Sequence, residues 1–304
     1  MSSNNLNNVN NARVKGFLFV MVACLTYGIM PALTQLAFLA GLSVSTVLFG
    51  RLTLGVIFVW IRIFIKKINF KIGKKHIGYL LFIGCALVVQ TVTMSESYRL
   101  LPGAIVSLLM FLYVSVVVIT EICIGREKFD KTRLICVVCS FVGLVLVIWT
   151  PGEGIVLSVT GILLALAAAI GYGLYVVGVG EQRTRKLDSE VIVIYATTPP
   201  VLFSLGMCIS LGEPLLPQTA EQGMYVFLLA FFCLFVAAIC FTKGVQYIGA
   251  SNAAIFNTAE PIVAYVAGIV LMSDEIAGSA IIGGILILGA IIYLNLSSRG
   301  KAAS

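Results

Sequence analysis

The chain has 304 residues, of which 60% are hydrophobic and only 11% charged, with a formal net charge of +7 and a mean hydropathy of +1.07. A water-soluble globule cannot hide that much apolar surface, so the composition excludes that class and implies a polytopic, all-α membrane protein. The basic excess falls in the gaps between apolar spans, which argues for a topology signal and against nucleic acid as a partner.

Residues 1–14 form a polar, Asn-rich tail, with Arg13 and Lys15 just ahead of the first apolar span. That span, 16–39, is too long for the core of a signal peptide and reads as a retained transmembrane helix. It holds Tyr27-Gly28 and then Pro31, a candidate hinge. Nine further spans are expected at 44–65, 76–98, 103–124, 132–150, 158–181, 189–211, 223–246, 249–272 and 276–297, each long enough to cross a bilayer. Arg51 lies in the second span, about two turns from its outer end, where pairing within the protein or snorkelling to the interface is favoured over facing a cavity. Gln90 falls in the third span, Tyr113 in the fourth, and Tyr172 and Tyr175 in the sixth. Lys243 sits near the inner end of the eighth span, either snorkelling to the interface or facing a carboxyl about 10 Å deeper. Trp60 and Trp149 read as interfacial anchors. The eight cysteines are scattered through apolar segments, so a disulfide framework is not expected, and the CxxC of Cys136 and Cys139 reads as helix packing.

The ninth span is the informative one. It carries Asn252, Asn257, Thr258 and Glu260 inside an otherwise apolar run, followed by Pro261. A carboxyl in a hydrocarbon core is unfavourable by about 3 kcal/mol on insertion scales, so such a residue faces protein or a watery cavity. Pro261 lacks a backbone donor and frees a carbonyl about four residues back, near Asn257. Asn257 and Glu260, three residues apart, share a helix face. The bland alternative for Glu260 is a hydrogen-bonded residue that locks the helix to a neighbour.

With the N-terminus placed in the cytoplasm, the inner segments collect the lysines of 66–75, the 126–133 cluster, Arg183, Arg185 and Lys186. The outer connections then hold Arg99 alone, together with Glu153, Glu213, Glu221, Asp274 and Glu275. Both termini are thus expected inside. The two halves repeat: 16–28 aligns with 161–173, and Tyr98 with Tyr247. The expected division is a tail at 1–14, five-helix repeats at 15–150 and 151–297, and a tail at 298–304. An odd number of spans per repeat inverts the second relative to the first, an arrangement found in transporters with a solute site near the midplane.

Tyr27-Gly28, Arg51, Gly125-Arg126-Glu127, Gly249-Ala250-Ser251, Glu260-Pro261 and Asp274-Glu275, in register with two five-span halves, resemble the drug/metabolite transporter superfamily, specifically its EamA-type ten-helix carriers. The resemblance covers 15–297 and departs at Val114, where the family usually has a proline. It implies a central cavity bordered by the first, fourth and sixth spans. Tyr27, Tyr113, Tyr172 and Tyr175, with Gln90, Asn252, Asn257 and Glu260, are then expected to bind substrate. Glu260, Lys243 and Arg51 are expected in coupling or charge pairing, with Pro31 and Pro261 as hinges. The implied activity is secondary transport of a small organic solute by alternating access. An amino acid or related metabolite, exported, is the first choice because Glu260-Pro261 resembles the Glu-Pro of amino-acid exporters in the family, with drugs, nucleosides and other metabolites as alternatives. An enzyme is disfavoured, since no HExxH, GxSxG or clustered acidic pair occurs, and a channel would want a ring of filter residues from several chains. No cofactor or metal is expected. The partners are a solute and the lipid of a plasma or bacterial inner membrane, with monomer and homodimer both open.

Overall fold

The structure, a computed structural model, describes residues 3–101, 106, 109–126, 131–148 and 158–272, and the single positions 282, 285, 286, 289 and 293. Trp149, Glu127, Glu153, Asp274, Glu275 and most of the expected tenth span lie outside the described residues. So does the side chain of Cys136.

Every described element is helical. The expected first span is two helices, α1 (Ser3–Gly28) and α2 (Met30–Leu39), which meet at Ile29. Pro31 stands in the first turn of α2, where its missing N–H leaves no helical bond unmade. Next come α3 (Val44–Lys66), α4 (Lys74–Leu100), the shorter α5 (Leu112–Cys123) and α6 (Lys131–Ile148). In the second half, α7 (Val159–Val179) and α8 (Ser189–Leu211) are continuous, α8 even through Pro199 and Pro200. The eighth span begins as α9 (Ala220–Leu228), widens into a π-helical stretch at Leu229–Val236 and ends as α10 (Ala237–Ile248). The ninth is α11 (Ala250–Phe256), a 3₁₀ turn at Asn257–Ala259, and α12 (Glu260–Met272).

Among the described residues, six helical segments are long and apolar enough to cross a membrane: 12–39, 44–66, 74–100, 159–179, 189–211 and 220–248. Local sequence sets their ends. The hydroxyls of Ser43, Ser158 and Thr219 accept the N–H groups of Thr46, Gly161 and Gln222, capping α3, α7 and α9. Gly249, at φ +83°, makes the sharp corner between α10 and α11 that a side chain would strain. Large apolar side chains such as Leu39, Ile65, Phe82 and Val270 point outwards and stay more than two-thirds exposed. In water such a girdle would be unfavourable; in lipid it is the solvated face.

The helices close on one another through small residues. α4 lies along α7, and α1 along α10. At Gly171 the backbones of α7 and α4 come so near that a Cβ would stand 2.7 Å from the carbonyl oxygen of Ala86 and 3.0 Å from the amide nitrogen of Gln90. Close approach of this kind lets helices associate where lipid removes the hydrophobic driving force.

The two ends of the bundle are held differently. At one end, Arg62 on α3 donates to Glu190 on α8 at 2.7 Å, and Lys243 on α10 reaches the same carboxyl at 3.4 Å. Nearby, Arg126 contacts Glu121 at 3.3 Å and Glu181 at 3.6 Å. The partner of Lys243 is therefore Glu190, not Glu260. At the opposite end, Glu213 accepts from the hydroxyls of Ser43 (2.6 Å) and Ser45, and Thr46 donates to the carbonyl of Pro214 at 2.6 Å. Trp60 packs within an aromatic group, edge-on to Phe70 at 5.2 Å.

Candidate solute site

Midway along the helices lies a cavity of about 110 Å³. The first half of the chain lines it with Tyr27, Met30, Arg51, Gln90, Thr91 and Tyr113, and the second with Tyr172, Tyr175, Thr197, Cys233 and Glu260, among others.

Glu260 owes its position to the break in the ninth span. A proline withholds the N–H that would continue a helix, so Pro261 cannot bond the carbonyl of Asn257. The N–H of Glu260 takes the Asn257 carbonyl instead, tightening Asn257–Ala259 into the 3₁₀ turn. The carbonyl of Phe256, which a straight helix would pair with the Glu260 amide, loses that partner. The thiol of Cys24 on α1 covers it, donating to Phe256 O at 3.7 Å and to Asn257 Oδ1 at 3.2 Å.

Asn257 holds the carboxyl from beneath. Its Nδ2 donates to Glu260 Oε2 at 2.7 Å and to the Tyr113 hydroxyl at 3.1 Å, while that hydroxyl lies 3.5 Å from the Ala254 carbonyl. The aromatic wall is continuous. Tyr113 meets Tyr172 edge-on at 4.8 Å, Tyr172 stacks on Tyr175 at 6.1 Å, and Tyr27 reaches the group through Phe241 at 6.4 Å.

Of the residues expected to bind substrate, Tyr27, Gln90, Tyr113, Tyr172, Tyr175 and Glu260 line the cavity, and so does Arg51, for which the sequence favours pairing or snorkelling over this position. Asn257 stands behind Glu260 as its support. Asn252 is spent locally, donating to the carbonyl of Ile248 at 2.8 Å. Lys243 lies at the ionic end, its ammonium 5.7 Å from the Phe19 ring centre. Pro31 and Pro261 both adjoin helix breaks. Sequence reasoning missed Met30, Met94, Thr197, Pro200 and Cys233 in the lining; the adjacent Pro199 and Pro200 in an apolar span were the one local signal for the seventh helix.

Membrane-length helices from both halves close on a cavity that sets a few polar groups among apolar side chains. The chain belongs to the EamA-like transporter family, whose model matches residues 14–149 and 159–296, and it is an EamA-type member of the drug/metabolite transporter superfamily. It is 28% identical over 210 residues to the uncharacterized inner membrane transporter YicL of Salmonella typhimurium (strain LT2), a match that spans 66% of this chain and 66% of that protein. A solved crystal structure shares the fold at a TM-score of 0.79 and 17% identity, covering 95% of this chain and 99% of the other.

Proposed function

We propose that the protein carries a small organic solute, an amino acid or related metabolite, outwards across the membrane by alternating access around this cavity. The observation that carries the reading is Glu260, a carboxyl presented at mid-membrane on a broken helix and facing a wall of tyrosines. The cavity, at about 110 Å³, is on the scale of the roughly 150 Å³ apolar cavity that takes up benzene. A thermal-shift screen of amino acids, nucleosides and drugs on the purified protein tests it. Selective stabilisation by amino acids is expected; stabilisation by drugs or nucleosides alone would move the assignment to the alternative cargo.

Two inverted five-helix repeats, 15–150 and 151–297, fit this mechanism, and the helix contacts support them. Gly28 meets Val263, while its counterpart Gly173 meets Val116. Gly16 meets Tyr247 and Ile248, while its counterpart Gly161 meets Leu100 and Leu101. Exchanging the halves turns the α1–α10 contact into the α7–α4 contact. In this arrangement the ionic end, with its flanking lysines, faces the cytoplasm along with both termini. Cysteines placed at positions 2 and 303 should resist an impermeant thiol reagent applied to intact cells and react after permeabilisation. Ready labelling in intact cells would overturn the ten-span, both-termini-inside topology.

A further inference from the structure

Two strong donors in the cavity wall rest on sulfur. Arg51 donates Nη1 to Met30 Sδ at 3.1 Å, and its buried Nε has no hydrogen-bond partner among the described residues. Gln90 donates Nε2 to Met94 Sδ at 3.1 Å. A thioether is a weak acceptor, whereas a guanidinium presents five N–H groups in a planar fork that matches a carboxylate. Other arginines of the chain behave differently: Arg62 pairs with Glu190, Arg99 with Glu96, and Arg126 with Glu121 and Glu181. Among the described residues Arg51 makes no ion pair, although Glu260 lines the same cavity. The Glu260 carboxyl is held by Asn257 instead. The cavity thus carries a cation and a carboxyl that do not neutralise each other.

We propose that Arg51 is the anion-binding residue of the cavity, taking a carboxylate of the solute, with Gln90 supplying a further donor from α4. The cargo is then a small molecule that must bear a carboxylate, and the end of it that Arg51 reads is fixed. This rests on the cavity being the solute site and adds which chemical group is recognised and by which side chain. A partly buried guanidinium whose protein partner is a thioether gains little from that contact, so it adds little to the fold of the empty protein. Removing it should therefore weaken binding without weakening the fold, the reverse of what a structural arginine would do.

The test uses the full chain, purified, with L-amino acids and their carboxamides as probes. Wild type should bind the acids at least about tenfold more tightly than the matched amides, the scale of one charge-assisted hydrogen bond. Arg51→Gln should erase that preference, and Arg51→Met should melt at or above the wild-type temperature without solute. Retention of the acid preference in Arg51→Gln, or a melting temperature several degrees lower in Arg51→Met, would overturn the proposal. If wild type binds amides or the corresponding amines as well as the acids, the solute site stands and the role of Arg51 falls. If none of the acids, amides or amines binds, both readings fall.

Discussion

Glu260→Gln is expected to abolish solute accumulation driven by a pH gradient while leaving solute exchange within a few-fold of wild type. Glu260 is the only acidic side chain among the described residues that line the cavity. Glutamine keeps the length of the side chain, and its carbonyl can still accept from Asn257 Nδ2, so the 3₁₀ turn and the aromatic wall should survive. What it loses is the ability to take a proton from one side and release it on the other. One proton coupled to a gradient of one pH unit sustains about tenfold accumulation, since each unit is worth about 1.4 kcal/mol. The variant should fall to none. Measurement of uptake in proteoliposomes with and without an imposed gradient, alongside solute-for-solute exchange, separates the outcomes. Collapse of exchange together with accumulation would instead assign Glu260 to a solute ammonium, and wild-type behaviour would leave it a purely structural role.

The second large effect is expected at Gly171. A Cβ there meets two backbone atoms, Ala86 O and Gln90 N, and neither can rotate away as a side chain would. Gly171→Val should push α7 off α4, with a loss of about 3 kcal/mol or more, at the upper end of overpacking penalties. The same shift would displace Gln90, so binding should weaken along with stability. Gly206, on α8 with nothing near its Cβ position, is the control. Gly206→Ala should be neutral or stabilising by up to about 1 kcal/mol. Melting curves in detergent decide the matter: equal behaviour of the two variants would mean that the α4–α7 contact is looser than its geometry.

Much of the fold was legible in the sequence because its signals are local. Apolar length marks the spans, and the broken first and ninth helices follow from Pro31 and Pro261. Glu260 was legible for the same reason: a carboxyl amid apolar residues has few places to go. What was not legible depends on partners far along the chain. Nothing near Lys243 indicates that Glu190, 53 residues away, neutralises it. Arg51 could be assigned neither to a neighbour nor to the interface, since its place in the cavity depends on how α3 packs against the second half. Proline rules pointed to a loosened backbone near Asn257; that the thiol of Cys24, on another helix, would reach Phe256 O and Asn257 Oδ1 there could not be read from the sequence. Asn252 shares the polar character of Asn257, yet its amide bonds its own helix, a choice that side-chain type does not reveal.

The central claim is that this cavity passes a small solute across the membrane, and solute counterflow tests it most directly. Purified protein in liposomes is loaded with an unlabelled amino acid from the stabilising set and diluted into a trace of the labelled form. The account predicts a saturable, transient overshoot of label inside the vesicles, blocked by excess outside solute. Protein-free vesicles should show none. Label entry no faster than in protein-free vesicles, for every solute that stabilises the protein, would contradict it.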